Sequence, residues 1–271
     1  MAIHLQRRSR GPSEGFDITV ARGARLLAYA AYGVYAWLAL LAIGLPVALA
    51  FAFTPGVLRR RRIAHHGAAL FLTLIGSRPR IKGRPPEGPC VVVANHSSYL
   101  DGIILTAALP PRFSFLIKHE MARIPVAGFV LRGLGSQFVD RASAGHRQRT
   151  ARRLVAATAT GTALAVFPEG TFDREPGLRP FQLGAFVAAR RADASIVPVA
   201  ITGARHKLPA RSWLPAPGRV TVSICATLRP KDYPDARALA ASTRAAILVR
   251  LDEPDLADHG SGSHRRKRDR G

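Results

Sequence analysis

Between Leu26 and Leu58 the chain carries no charged residue. Helices of soluble domains rarely stay apolar around their whole circumference, so this run restricts what the N-terminal quarter can become. Its first part, Leu26 to Leu45, is long enough as a helix to cross a bilayer core. It is rich in Ala and Leu and carries Tyr29, Tyr32, Tyr35 and Trp37. A cleaved signal peptide is disfavoured, because the run starts late, is too long, and lacks a small-residue cleavage site ahead of the basic block. Pro46 and Pro55 are expected to interrupt the run, and Arg59 to Arg62 follow at once. A second apolar segment, Ile63 to Ile75, comes next, with Arg78, Arg80, Lys82 and Arg84 behind it. Basic clusters thus flank the first apolar stretch. A single crossing would put one of them outside, against the positive-inside tendency. A helical hairpin dipping into one leaflet, or two crossings, keeps both inside, and the hairpin embedded from the cytoplasmic side is favoured. The expectation is therefore an inner-membrane protein with its main domain on the cytoplasmic side.

The formal charge of +23 calls for an anionic partner. Nucleic acid is disfavoured, because the aromatic residues are sparse and not interleaved with Lys and Arg as a stacking surface requires. The basic residues instead gather at both ends and around the apolar run, which points to an anionic membrane surface or a phosphorylated substrate. Cys90 and Cys225 both sit in apolar stretches and read as reduced core residues. No spacing suggests a metal site.

From Ile81 onward short apolar runs alternate with helical patterns, which predicts a mostly parallel α/β sheet flanked by helices. Strands are expected at Cys90–Ala94, Phe113–Ile117, Ser136–Val139, Ala163–Phe167, Ile196–Ile201 and Val220–Ile224. Helices are expected at Pro125–Leu134, Gly145–Thr160, Phe181–Arg191 and Asp235–Leu251. The resulting division is a basic disordered N-terminus (1–22), a membrane-associated helical hairpin (23–77), an α/β domain (78–251) and a basic disordered tail (252–271).

Two loops follow apolar strands, where α/β sheets build their sites. After Cys90–Ala94 comes Asn95-His96-Ser97-Ser98-Tyr99-Leu100-Asp101. If that turn folds back, Asp101 fixes the tautomer of His96, and His96 can take the proton of an attacking alcohol. No nucleophilic Ser or Cys is then needed. Taken alone, a histidine near a strand end is more often structural, and Ser97 or Ser98 serves equally well as a helix cap. After the apolar strand that begins at Ala163 comes Phe167-Pro168-Glu169-Gly170-Thr171, whose backbone N–H groups can hold an anion or simply make a turn.

Together and in this order, these motifs resemble the 1-acyl-glycerol-3-phosphate acyltransferase family. Its N-H-x-S-x-x-D motif is matched by Asn95 to Asp101, and its F-P-E-G-T motif by Phe167 to Thr171. Gly135 to Arg141 resembles a third motif that ends in arginine, and Ile196-Val197-Pro198-Val199-Ala200 a fourth. The likeness runs from about Ile81 to Leu228. It implies a membrane-bound enzyme that moves an acyl group from acyl-CoA or acyl carrier protein to a lysolipid, lysophosphatidic acid first among them, without metal or cofactor. It implies His96 and Asp101 as the catalytic pair, and Arg141 as the residue that binds the acceptor's phosphate. Glu169, Gly170, Thr171, Lys118 and Pro198 are implied in substrate binding. Phe172 and Gln182 stand where the family often carries basic residues. That weakens a dianionic phosphate as the acceptor's head group and keeps other lysolipids, such as a lyso-ornithine lipid, in contention. A non-catalytic module that holds anionic lipid is the alternative from another class.

Overall fold

The computed structural model describes residues 12–139 and 163–257, with side chains from Arg22 on. The chain opens with two long helices, α1 (Pro12–Phe53) and α2 (Val57–Leu74). The domain that follows contains β1 (Arg80–Lys82), β2 (Cys90–Ala94), α3 (Asp101–Ala108), β3 (Phe113–Lys118), α4 (Pro125–Gly133), β4 (Gln137–Val139), β5 (Ala163–Val166), α5 (Gly184–Arg191), β6 (Ser195–Thr202), β7 (Thr221–Ile224) and α6 (Ala236–Leu248). Seven strands form one sheet in the order β1-β7-β6-β2-β5-β3-β4. Every neighbouring pair is parallel except β6 with β7. The expected α/β architecture is the observed one.

β2 explains why the sheet is centred where it is. All five of its residues are buried, as an apolar strand covered on both faces must be. Cys90, Val92 and Ala94 face a core shared with α1, α2 and α3, including Ala36, Phe71, Leu72, Ile104 and Leu105. Val91 and Val93 face the opposite core, with Phe186 of α5 and Leu239 and Ile247 of α6. β5 and β6 flank β2 in register, with Val93 opposite Val166 on one side and Pro198 on the other.

Several sequence expectations need correction. Helix α1 begins at Pro12, so much of the segment expected to be disordered is helical. It also runs straight through Pro46. A proline in a helix interior costs about 3 kcal/mol, yet here Ile43 and Val47 pack before and after it on Gly67 of α2. Pro55, by contrast, does lie at the break between α1 and α2. At the other end, residues 252–257 are not a loose tail. Glu253 pairs with Arg205, Asp255 with Arg244, and Leu256 packs over Gly177. The expected helix at 145–160, and the rest of the basic tail, lie outside the described residues.

Helix α1 packs on the domain between Tyr29 and Phe51. Gly33, Ala36 and Ala39 are buried, and their small size permits close approach. Tyr32 and Tyr35 donate to the carbonyls of Ile75 (2.9 Å) and Leu74 (3.0 Å). Phe51 packs with Leu134 and Val130 at the end of α4. The opposite face exposes Leu27, Val34, Leu38, Leu41, Leu45, Leu49 and Phe53. Among the described residues, one helix, over Arg22–Phe53, is long and apolar enough to cross a membrane.

Candidate active site

The register of β2 and β5 brings the two sequence motifs together. Three residues beyond the paired Val93 and Val166 stand His96 and Glu169. Between them the chain is stiffened by Asn95, whose carboxamide accepts from the N–H of Ile201 (2.7 Å) and donates to its carbonyl (3.0 Å). The side chain thus continues the β2–β6 ladder one step past the strand. The motif reading gave Asn95 no role of its own, because its partner lies 106 residues away.

The turn then folds back on itself. Asp101, fully buried at the start of α3, accepts through Oδ2 from the backbone N–H of Ser97 (2.6 Å) and Ser98 (2.8 Å) and from Nδ1 of His96 (2.8 Å). Its Oδ1 has no hydrogen-bond partner among the described residues. A carboxylate only accepts, so Nδ1 carries the hydrogen and Nε2 keeps the lone pair. The His96 side chain is 21% exposed. Its ring stacks on Phe167 (centroids 4.4 Å, 20° between planes) and leans against Phe172 (4.4 Å, 54°). Phe172 in turn meets Tyr99 edge-on at 4.8 Å. Ser98 does not cap a helix by accepting from its first turn. Its Oγ donates to the carbonyl of Leu208 (3.0 Å) and accepts from the N–H of Leu100 (3.2 Å).

Glu169 is the second buried carboxylate beside His96, and both its oxygens are engaged by backbone. Oε1 accepts from the His96 N–H (2.6 Å) and Oε2 from the Arg179 N–H (2.8 Å). Burial pushes its carboxyl up to about 7, against the opposing pull of those two N–H groups and of the Arg244 and Arg205 charges. Gly170, at φ +77°, closes the turn with its N–H toward the Phe167 carbonyl (3.2 Å), a conformation that favours glycine. Thr171 is exposed beside it.

The remaining implied residues fall differently. Lys118 ends β3 on the surface and pairs with Glu120 at 3.0 Å. Pro198 is buried inside β6, not on an edge. Its carbonyl accepts from Cys225, so its missing N–H also points toward β7. There the ladder pairs Val199 with Ile224 but bridges Ile196 to Leu228, so three residues (225–227) face two (197–198). This bulge is what lets an interior strand hold a proline. Arg141 lies outside the described residues. Sequence reasoning passed over Arg205 and Arg244. Arg205 reaches Glu253 (2.6 Å) and the carbonyls of Asp173 (2.8 Å) and Glu175 (2.9 Å); Arg244 reaches Asp255 and the carbonyls of Leu178 and Arg179. Both tie down the loop that carries Phe172, from partners no local pattern could reveal. No group of His, Cys, Asp and Glu fit to hold a metal occurs among the described residues.

Known proteins resemble this chain in sequence and in fold. The acyltransferase family model matches residues 78–202. A 1-acyl-sn-glycerol-3-phosphate acyltransferase of Chlamydomonas reinhardtii is 30% identical over 235 residues, 82% of this chain and 69% of that one. The chain belongs to the 1-acyl-sn-glycerol-3-phosphate acyltransferase family. A lyso-ornithine lipid O-acyltransferase of Pseudomonas aeruginosa is 34% identical to this acyltransferase over 150 residues, 55% of this chain and 57% of that enzyme. In fold, the acyltransferase matches the crystal structure of PlsC from Thermotoga maritima with a TM-score of 0.69, over 83% of this chain and 94% of that one, at 23% identity.

Proposed function

We propose that this acyltransferase moves a fatty acyl group from acyl-CoA or acyl carrier protein to the free hydroxyl of lysophosphatidic acid, giving phosphatidic acid. The observation that carries the reading is the His96–Asp101 pair, with Nδ1 held and Nε2 left as the base. The acceptor oxygen gives its proton to Nε2 and forms a bond to the thioester carbonyl carbon. The tetrahedral intermediate then expels the thiolate, which takes the proton back from the imidazolium. The Asp101 carboxylate stabilises that imidazolium while it lasts. A base so placed contributes roughly 100- to 10,000-fold in rate. Arg141 binds the acceptor's phosphate in this reading, with Gly170, Thr171, Lys118 and Pro198 shaping the acceptor and acyl sites. Glu169 serves them by holding the His96 backbone. The exposed apolar face of α1 and the basic residues around the hairpin support docking on an anionic inner-membrane surface from the cytoplasmic side.

A second acceptor is favoured by a specific contact. Phe172, where relatives often carry a basic residue, lies against the His96 ring. That lowers positive charge next to the reacting centre and suits a lysolipid with less negative charge, such as a lyso-ornithine lipid. Thiol release should be measured on a parallel panel of lysophosphatidic acid, lysophosphatidylglycerol, lyso-ornithine lipid and glycerol 3-phosphate, each with both donors. The reading requires lysophosphatidic acid to be the best acceptor and Arg141→Ala to raise its KM strongly. A better lyso-ornithine acceptor, with KM indifferent to Arg141→Ala, overturns it. No release with any acceptor would favour the lipid-binding module.

A further inference from the structure

The loop between β6 and β7, residues 203–220, makes more connections than a link between adjacent strands needs. Near its start, the buried Lys207 donates to Ser77 Oγ, to the carbonyl of Gly218 (3.2 Å) and toward Tyr32 of α1 (3.4 Å). The next residue, Leu208, offers its carbonyl to Ser98 Oγ (3.0 Å) and to the N–H of Tyr99 (3.2 Å), both in the catalytic turn. At its tip the loop lies along α1. Trp37 Nε1 donates to the carbonyl of Trp213 (2.6 Å) and Tyr29 to that of Leu214 (3.1 Å). The Leu214 side chain fills the space where a Cβ on Gly33 would stand.

Amid these tethers the indole of Trp213 is held outward, 71% exposed. The turn that holds it is tight. Ser212 N–H donates to the Pro209 carbonyl (3.1 Å), and Arg211 adopts φ +61°, a left-handed conformation that costs a non-glycine residue energy. The tethered loop thus presents a large aromatic group at the surface beside α1. Trp37 bonds to the backbone of Trp213 and Tyr29 to that of Leu214, and α1 also exposes the apolar side chains of Leu27, Val34, Leu38 and Leu41. Arg211 on the loop and Arg22 and Arg25 on α1 are exposed and basic. Trp and Tyr next to an apolar face, with Arg alongside, is the pattern that settles at the head-group level of an anionic bilayer.

We propose that the β6–β7 loop is a second membrane-contact element, and that Trp213 anchors it in the bilayer interface beside α1. This rests on the reading of α1 as a membrane-docking helix. The anchor belongs to the catalytic domain itself, and Leu208 joins it to the turn that carries His96. The depth of Trp213 therefore sets the height of the base above the lipid, within reach of a lysolipid hydroxyl that need not leave the bilayer.

The chain has two tryptophans, Trp37 and Trp213, so each can be read alone. Full-length Trp37→Phe and Trp213→Phe proteins are mixed with vesicles of phosphatidylcholine and phosphatidylglycerol whose acyl chains are brominated near or far from the head group. In Trp37→Phe, emission from Trp213 is expected to shift to the blue and to be quenched more by shallow than by deep bromines. Trp213→Ser is expected to lower activity on vesicle-borne lysolipid several-fold relative to activity on detergent-dispersed lysolipid. If Trp37 is quenched in bound Trp213→Phe protein while Trp213 keeps a water-exposed, unquenched emission in bound Trp37→Phe protein, the anchor is disproved and α1 docking stands. If neither protein floats with the vesicles, both fall.

Discussion

The turn after β2 and the turn after β5 each place a buried carboxylate beside His96, and the two do different work. Asp101 reaches the imidazole itself and binds the backbone only of its own turn. Glu169 never touches the ring; it binds the His96 backbone from across the sheet and the Arg179 backbone further along its own loop. Both are acidic, buried and within two strands of each other, so residue type alone would assign them like roles. Geometry separates them: one binds the imidazole of His96, the other its backbone, so in the proposed mechanism one tunes the base and the other positions it.

Substitutions can test that separation. The largest effect is expected from His96→Ala, which removes the base without leaving a buried charge in contact with nothing but apolar groups, since Asp101 keeps Ser97 and Ser98. Transfer should fall by at least about 100-fold, with the far-ultraviolet circular dichroism unchanged; a variant that keeps more than about a tenth of the activity would remove the base from the mechanism. Asp101→Asn should come next. The asparagine oxygen still accepts from the turn, but the charge that stabilises the imidazolium is gone, so turnover is expected to drop by more than about tenfold with little change in the acceptor's KM.

Glu169→Gln should reverse the emphasis. Its single acceptor oxygen can serve His96 or Arg179 but not both, and a buried N–H left facing an amide group costs about 1–3 kcal/mol. The midpoint of thermal unfolding is expected to fall further than in His96→Ala. Equal loss of activity with no loss of stability would make Glu169 an electronic partner like Asp101 and erase the contrast.

The smallest effect is a slope. The carboxyl of Glu169 is raised in the folded protein from the usual 4.5 to about 7. The folded state therefore holds this proton through a range where the unfolded chain has released it. The resulting stabilisation is complete below about 4.5 and is lost as pH rises through about 7. Subtracting the Glu169→Gln stability profile from that of the unaltered protein should isolate this decline. A difference that is flat across the window would mean the carboxyl is not raised.

Much of this was legible beforehand. The apolar run Cys90–Ala94 announced a strand buried on both faces, and the spacing from His96 to Asp101 announced the pair. The strands that position them were placed to within a residue or two. What sequence could not convey was contact between distant segments. Glu169 reads as a ligand for substrate until the β2–β5 register puts the His96 N–H in front of it. The bulge opposite Pro198 is made by residues 225–227, which no local pattern joins to it. Pro46 reads as a break because local propensity cannot anticipate the packing of α1 on α2. Arg205 and Arg244 look like two more positive charges in a strongly basic chain until the acidic residues at 253 and 255 fold back onto them.

The Asn95 side chain, which bonds to Ile201 on both its N–H and its carbonyl, behaves as one extra peptide unit of the sheet. It follows that the Ile201 amide is sealed by the motif that carries His96 and not by a strand. Its hydrogen should exchange with deuterium as slowly as those of the central ladder, and should quicken when the turn that bears the base loosens. A single backbone proton would then report on the turn that carries His96 and could be read with neither acyl donor nor acceptor present.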